Sequence, residues 1–277
     1  MTDLESQKPA SNDPFINFIT PPQTYNNQHD TVELLFKNAI GKCSYSPLVT
    51  LINGFLAATG GFFSIIVGGG FDPSFSALYP AVPKVTGGFA FSLALILIVF
   101  LGGELFTGNT MVLALGLFGR RVSYKKVLIN WPLVLLGNVA GCIFMAYFFG
   151  YLTEIFKMDP FLTYLVHLTE KKCRLAVHVI FLRAIPANAL VCMAIVLGTA
   201  SRDLTGKFLA LVFPVVAFAA IGFEHSIANS FYLSQGWMYG ADAEGAFVNF
   251  FVALLGNIVG GALFVAGSQY FIYKNSH

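Results

Sequence analysis

Charge is almost absent from the long middle of this sequence, and that constrains its fold more than any other feature. Uncharged, mostly apolar stretches run over residues 47–71, 85–103, 127–153, 184–201, 208–223 and 245–273. A helix that crosses a bilayer needs roughly 20 predominantly apolar residues, so six spans is the simplest count. Only 11% of the 277 residues are charged, against about 25% in an ordinary soluble domain, which is too little to cover a water-exposed surface. The chain is predicted to be an all-α membrane protein without a large soluble domain. Its formal net charge of +2 comes without any basic run of the kind that follows a nucleic-acid backbone, so nucleic acid is excluded as a partner. Cys43, Cys142, Cys173 and Cys192 lack metal-ligand or redox spacing. No metal, cofactor or enzymatic chemistry is expected.

Residues 1–30 are rich in Pro, Asn and Gln without apolar periodicity and read as an irregular cytoplasmic tail, with the membrane unit occupying residues 31–277. No cleavable signal is visible in the tail. Residues 31–43 form an amphipathic pattern suited to a helix at the membrane surface, with Lys37 and Lys42 at the interface. The loop GRRVSYKK (119–126) has four basic residues and no acid, whereas the loop around Asp242 and Glu244 has only acids. By the excess of Lys and Arg in short loops, both termini are cytoplasmic and the expected location is the cell membrane.

Two further uncharged segments, residues 105–119 and 226–241, are too short to span alone, and each follows an apolar run ending in a carboxylate. They read as the second halves of broken helices. GELFTGNT (103–110) and FEHSIANS (223–230) each carry Glu and Asn five residues apart, Glu104 with Asn109 and Glu224 with Asn229. LLGNVAG and LLGNIVGG follow and place Asn138 and Asn257 in equivalent positions. Each half therefore holds three spans, and an odd number makes the copies cross in opposite senses, with the second and fifth spans broken. Glu104, Glu224 and His225 fall near the membrane centre, where ionisable groups are costly and mark functional sites. Irregular backbone at that depth must line protein or a wet cavity, so the two breaks are expected to meet at a pore. The positive ends of the two half-helices favour an anion or a partly negative oxygen, and His225 suits proton exchange.

With these motifs on view the sequence resembles the formate/nitrite transporters over nearly all of the chain after about residue 31. The resemblance rests on LFTGNT, GFEHSIAN, the order Lys171, Lys172, Asn188, Val191, Cys192, and LLGN with GG. It implies an aquaporin-like fold assembled as a homopentamer, with one pore per subunit for small monovalent anions. The cargo it implies is formate and other short monocarboxylates such as lactate and acetate, moved with a proton, the alternative being nitrite or hydrosulfide. By motif position, His225 resembles the central pore histidine and Thr107 the hydroxyl facing it, with Asn188 and Asn257 the flanking amides. Phe91, Leu95, Leu105, Phe106 and Phe218 are similar in position to the family's apolar constrictions. Lys172 resembles the basic residue of the outer vestibule, and Lys42 is a looser match for the inner one. Glu104, Glu224, Asn109 and Asn229 are expected to hold the breaks together, the carboxylates through backbone amides. Arg183, five residues before Asn188, departs from the pattern.

Two other classes fit less well. A membrane subunit of a redox enzyme usually needs haem-ligating His pairs, and His178 and His225 lie in different segments. A pore for neutral solutes gives no reason for a central titratable His.

Overall fold

The computed structural model describes residues 25–43 and 46–275, and it is helical throughout apart from one isolated bridge, Tyr25 with Ser201. The irregular tail expected at the N-terminus lies outside the described residues up to residue 24. Helix α1 (Gln28–Gly41) starts slightly before the expected amphipathic segment, because Asn27 caps it by accepting from the Asp30 amide. Its apolar face (Val32, Leu35, Phe36, Ala39) packs against the second half of the second span.

Among the described residues, six helices are long and apolar enough to cross a membrane: α2 (Pro47–Gly69), α4 (Ala81–Phe100), α6 (Tyr124–Phe144, continuing to Tyr151), α8 (Val177–Ala200), α9 (Leu204–Ile221) and α11 (Ala243–Ile258, continuing to Asn275). The short half-helices α5 (Phe106–Phe118) and α10 (Ser226–Met238) complete the second and fifth spans. Two surface helices, α3 (Pro73–Leu78) and α7 (Phe161–Cys173), were not legible as elements in the sequence. Helix α8 begins at Val177, before the uncharged stretch that starts at residue 184, and Arg183 lies inside the fourth span as expected, half-buried. Lys207 likewise falls inside α9 rather than in the loop before it. A single charge at a helix end can extend its stem along apolar surface and keep its head near water, so neither residue ends its helix.

The two breaks are built alike. Gly102 (φ 72°) and Gly222 (φ 84°) both adopt the left-handed conformation at the end of the preceding helix, a position that Gly takes without steric penalty. Three residues later in each copy the chain is extended, at Leu105 and His225, before it re-enters a helix. The first and third spans of each half approach closely at equivalent glycines. A Cβ on Gly141 of α6 would collide with the Leu51 carbonyl of α2, and one on Gly260 with the Ile185 carbonyl of α8. In both copies the spacing is Gly-Asn-x-x-Gly, the small-residue spacing that lets membrane helices touch backbone to backbone. The fold is thus two inverted three-span repeats with broken second and fifth spans.

Gly141→Leu should separate α2 from α6 and destabilise the protein by about 2 kcal/mol or more. The thermal midpoint in detergent should fall, and an unchanged midpoint would contradict this close approach.

Candidate functional site

At the first break the Glu104 carboxylate is fully buried and is met by the Lys42 ammonium and the Asn109 side-chain amide. Asn109 also donates to Asn130 Oδ1 at 3.0 Å, and Asn130 donates to the Lys42 carbonyl at 2.7 Å. The second break repeats this arrangement. Lys172 Nζ lies 3.0 and 3.2 Å from the Glu224 oxygens, and Asn229 donates to Glu224 at 2.7 Å. Asn229 also donates to Asn249 Oδ1 at 2.7 Å, and Asn249 to the Lys172 carbonyl at 3.1 Å. Each copy closes a ring of Lys, Glu, Asn and Asn. The carboxylates are therefore held by lysine and amide side chains, not by backbone amides as expected from the sequence. Leaving a buried charge without its partner costs about 3–5 kcal/mol, which is why a lysine and an amide meet each carboxylate, joined at Glu224 by the Asn249 amide at 3.2 Å.

A second pair of amides ties each break to the neighbouring spans. Asn138 Oδ1 accepts from the Phe106 amide at 2.9 Å, and its Nδ2 reaches the Thr50 and Glu104 carbonyls. Asn257 does the same for the Ser226 amide at 2.8 Å and the Ala184 and Glu224 carbonyls. Asn188 crosses between the copies, its Nδ2 within 3.2 Å of the Thr107 carbonyl, 2.9 Å of Thr110 Oγ1 and 2.6 Å of the Asn257 carbonyl. Asn188 and Asn257, expected as amides flanking a pore, thus have their hydrogens committed to the protein. Their fully buried positions make them the staples that bring the two breaks together.

The unsatisfied groups are different residues. Among the described residues, Thr107 Oγ1 and His225 Nε2 are buried without a hydrogen-bond partner. His225 caps α10 by accepting from the Ala228 amide at Nδ1, 3.2 Å away. A nitrogen that accepts carries no hydrogen in the neutral ring, so the ring hydrogen sits on Nε2. His225 therefore presents a donor that the protein itself leaves unused. Its ring stacks on Phe218 with centroids 5.5 Å apart, and Phe218 meets Phe91 edge-on at 5.8 Å.

Of the five expected constriction residues, Phe91 and Phe218 form this aromatic wall beside His225. Leu95 and Leu105 line a cavity of about 350 Å³ at the α1 end of the molecule, together with Lys42 and Asn109. Phe106 departs from the expectation: Asn138 holds its amide toward α6, and its ring packs edge-on against Trp131 of that helix at 6.3 Å. Lys42 and Lys172, expected in the vestibules, are mostly covered and neutralised by Glu104 and Glu224. Asn130 and Asn249 were not singled out in the sequence. The available signal was an Asn eight residues before the Asn of each Gly-Asn motif, repeated in both halves.

Residues 29–271 match the family model described as formate/nitrite transporter. The "Probable formate transporter" of Methanothermobacter thermautotrophicus is 35% identical over 274 residues, covering 93% of this chain and 98% of that protein. Among solved structures, an "FNT family ion channel" superposes with a TM-score of 0.79 at 28% identity, covering 88% of this chain and 98% of that one. A "Pentameric formate channel with formate bound" superposes with a TM-score of 0.68 at 30% identity, covering 86% and 99%. The chain belongs to the formate/nitrite transporter family, whose members are transporters and channels rather than enzymes.

Glu104→Gln should destabilise the protein by about 3 kcal/mol by leaving Lys42 unmatched. Pairing it with Lys42→Met should recover most of that loss in a thermal double-mutant cycle. Additive losses would show that the ammonium and carboxylate do not act as a unit.

Proposed function

We propose that this member of the formate/nitrite transporter family is a homopentameric channel of the cell membrane that moves formate and other short monocarboxylates together with a proton. The observation that carries the reading is a pair of unused donors at the starts of the two half-helices, the Thr107 hydroxyl and the His225 Nε2–H, the latter beside the aromatic wall of Phe218 and Phe91. An ionised carboxylate is an acceptor only, and its neutral acid still offers an acceptor oxygen. Such donors meet the cargo in either form.

Magnitudes favour crossing as the neutral acid. Moving a carboxylate from water to a medium like a dry protein interior has an idealised cost of order 20 kcal/mol. Protonating a carboxyl group of ordinary pKa near 4 at pH 7 costs about 4 kcal/mol. Between the wall of Phe91 and Phe218 and the cavity side lined by Leu95 and Leu105, the cargo therefore gains by taking up a proton from the water on its side and releasing it on the other. Thr107 and His225 Nε2 hold its oxygen meanwhile, and α5 and α10 turn their positive ends toward it.

Assembly as a pentamer follows the likeness to a pentameric formate channel. The membrane unit runs from residue 31 onward. Its α1 end carries Lys37, Arg120, Arg121, Lys125 and Lys126, and this end faces the cytoplasm. Glu104, Glu224, Asn109, Asn229, Asn188 and Asn257 keep the breaks in register, while Lys42 and Lys172 balance the carboxylates at the two mouths.

In proteoliposomes, uptake of labelled formate should rise as external pH falls, by up to about tenfold per unit. His225→Phe should abolish it or remove its pH dependence. Uptake indifferent to both would sink the mechanism. Parallel assays with lactate, acetate, nitrite and hydrosulfide rank the cargo, and preference for nitrite or hydrosulfide would replace the monocarboxylate reading.

A further inference from the structure

Among the described residues, the cavity at the α1 end has three lysines on its wall, Lys37, Lys42 and Lys207, and no carboxylate. They are not equivalent. The ammonium of Lys42 is bound to Glu104, so from a few ångströms away the pair acts as a dipole rather than a charge. Lys37 and Lys207 make no ion pair among the described residues. Lys37 is exposed on α1, with the length of its stem free to move. Lys207 is half-buried in the first turn of α9, its ammonium 5.3 Å from the centre of the Phe100 ring at the end of α4. An aromatic face attracts a cation through its quadrupole and carries no net charge. Phe100 therefore positions this ammonium without neutralising it.

We infer that Lys207, assisted by Lys37, supplies the field that gathers small anions at this mouth of the pore, the part the sequence assigns to Lys42. The inference rests on the reading of the protein as an anion channel. Lys207 is a positioning residue: it raises the local concentration of anion ahead of Leu95 and Leu105 and has no part in crossing. Its influence acts through water and is weakened by salt, because the screening length falls from about 30 Å at 0.01 M to about 3 Å at 1 M.

The test is formate flux into membrane vesicles of both orientations, with wild type, Lys207→Gln and Lys207→Arg, at low and high ionic strength. Lys207→Gln should raise KM about threefold at roughly 10 mM salt, with the maximal flux unchanged and the difference gone at about 0.5 M. The effect should appear only in the orientation that exposes the α1 end. Lys207→Arg should behave as wild type, and adding Lys37→Gln to Lys207→Gln should enlarge the rise. A Lys207→Gln channel with the wild-type KM and salt dependence would overturn the inference. So would a drop in maximal flux of equal size at every salt concentration, since that marks a packing role. Wild-type vesicles that carry no formate at all would instead remove the reading of function on which the inference depends.

Discussion

Everything else in this molecule depends on neutralising two carboxylates in places water does not reach. Glu104 and Glu224 sit where a transmembrane helix has been interrupted, and an interruption at that depth is stable only if its freed groups find partners. Each carboxylate draws in a lysine from a surface helix and an asparagine from the half-helix beyond the break, and a second asparagine from the next span closes the ring. Those contacts determine where α5 and α10 start. The starts determine where Thr107 and His225 stand. A left-handed glycine and an extended residue supply the backbone geometry, while the side-chain ring supplies the energy that holds it.

The buried polar residues fall into two groups with different consequences. Glu104, Glu224 and the amide hydrogens of Asn109, Asn138, Asn188, Asn229, Asn249 and Asn257 are spent on one another and on backbone carbonyls, so they hold shape. Thr107 and His225 are the reverse, buried yet lacking a partner for one polar atom each. An unmet buried group costs about 1–3 kcal/mol, a cost that the proposed contact with a cargo oxygen would lower. Satisfaction, rather than polarity alone, separates the frame from the contact surface.

Much of this was legible in the sequence because the pattern was repeated. The six spans, the two breaks and the opposed orientation of the halves followed from apolar length and from Glu–Asn spacings that occur twice. What escaped was of two kinds. Surface helices such as α7 lie outside the apolar runs, and their helicity depends on packing against the bundle more than on their own composition. Pairings between distant segments, such as Lys42 with Glu104 or Asn188 with Thr107, leave no periodic trace, so Asn188 read as a pore amide and Lys42 as a free vestibule charge. The contact of the Phe106 ring with Trp131 was hidden for a related reason: it joins residues far apart in the chain.

The rings around Glu104 and Glu224 have a property that bears on biosynthesis. Among the described residues, every partner of the Glu104 carboxylate lies between Lys42 and Asn130, and every partner of the Glu224 carboxylate between Lys172 and Asn249. The repeating unit is therefore a surface helix followed by three spans, α1 with the first set and α7 with the second. A chain leaving the ribosome has made every group needed to neutralise Glu104 before the second half is synthesised. The Asn188 staple, the Ser64–Tyr232 hydrogen bond and the Phe91–Phe218 ring contact have to wait for both halves, so each carboxylate is balanced within its own half before the halves join.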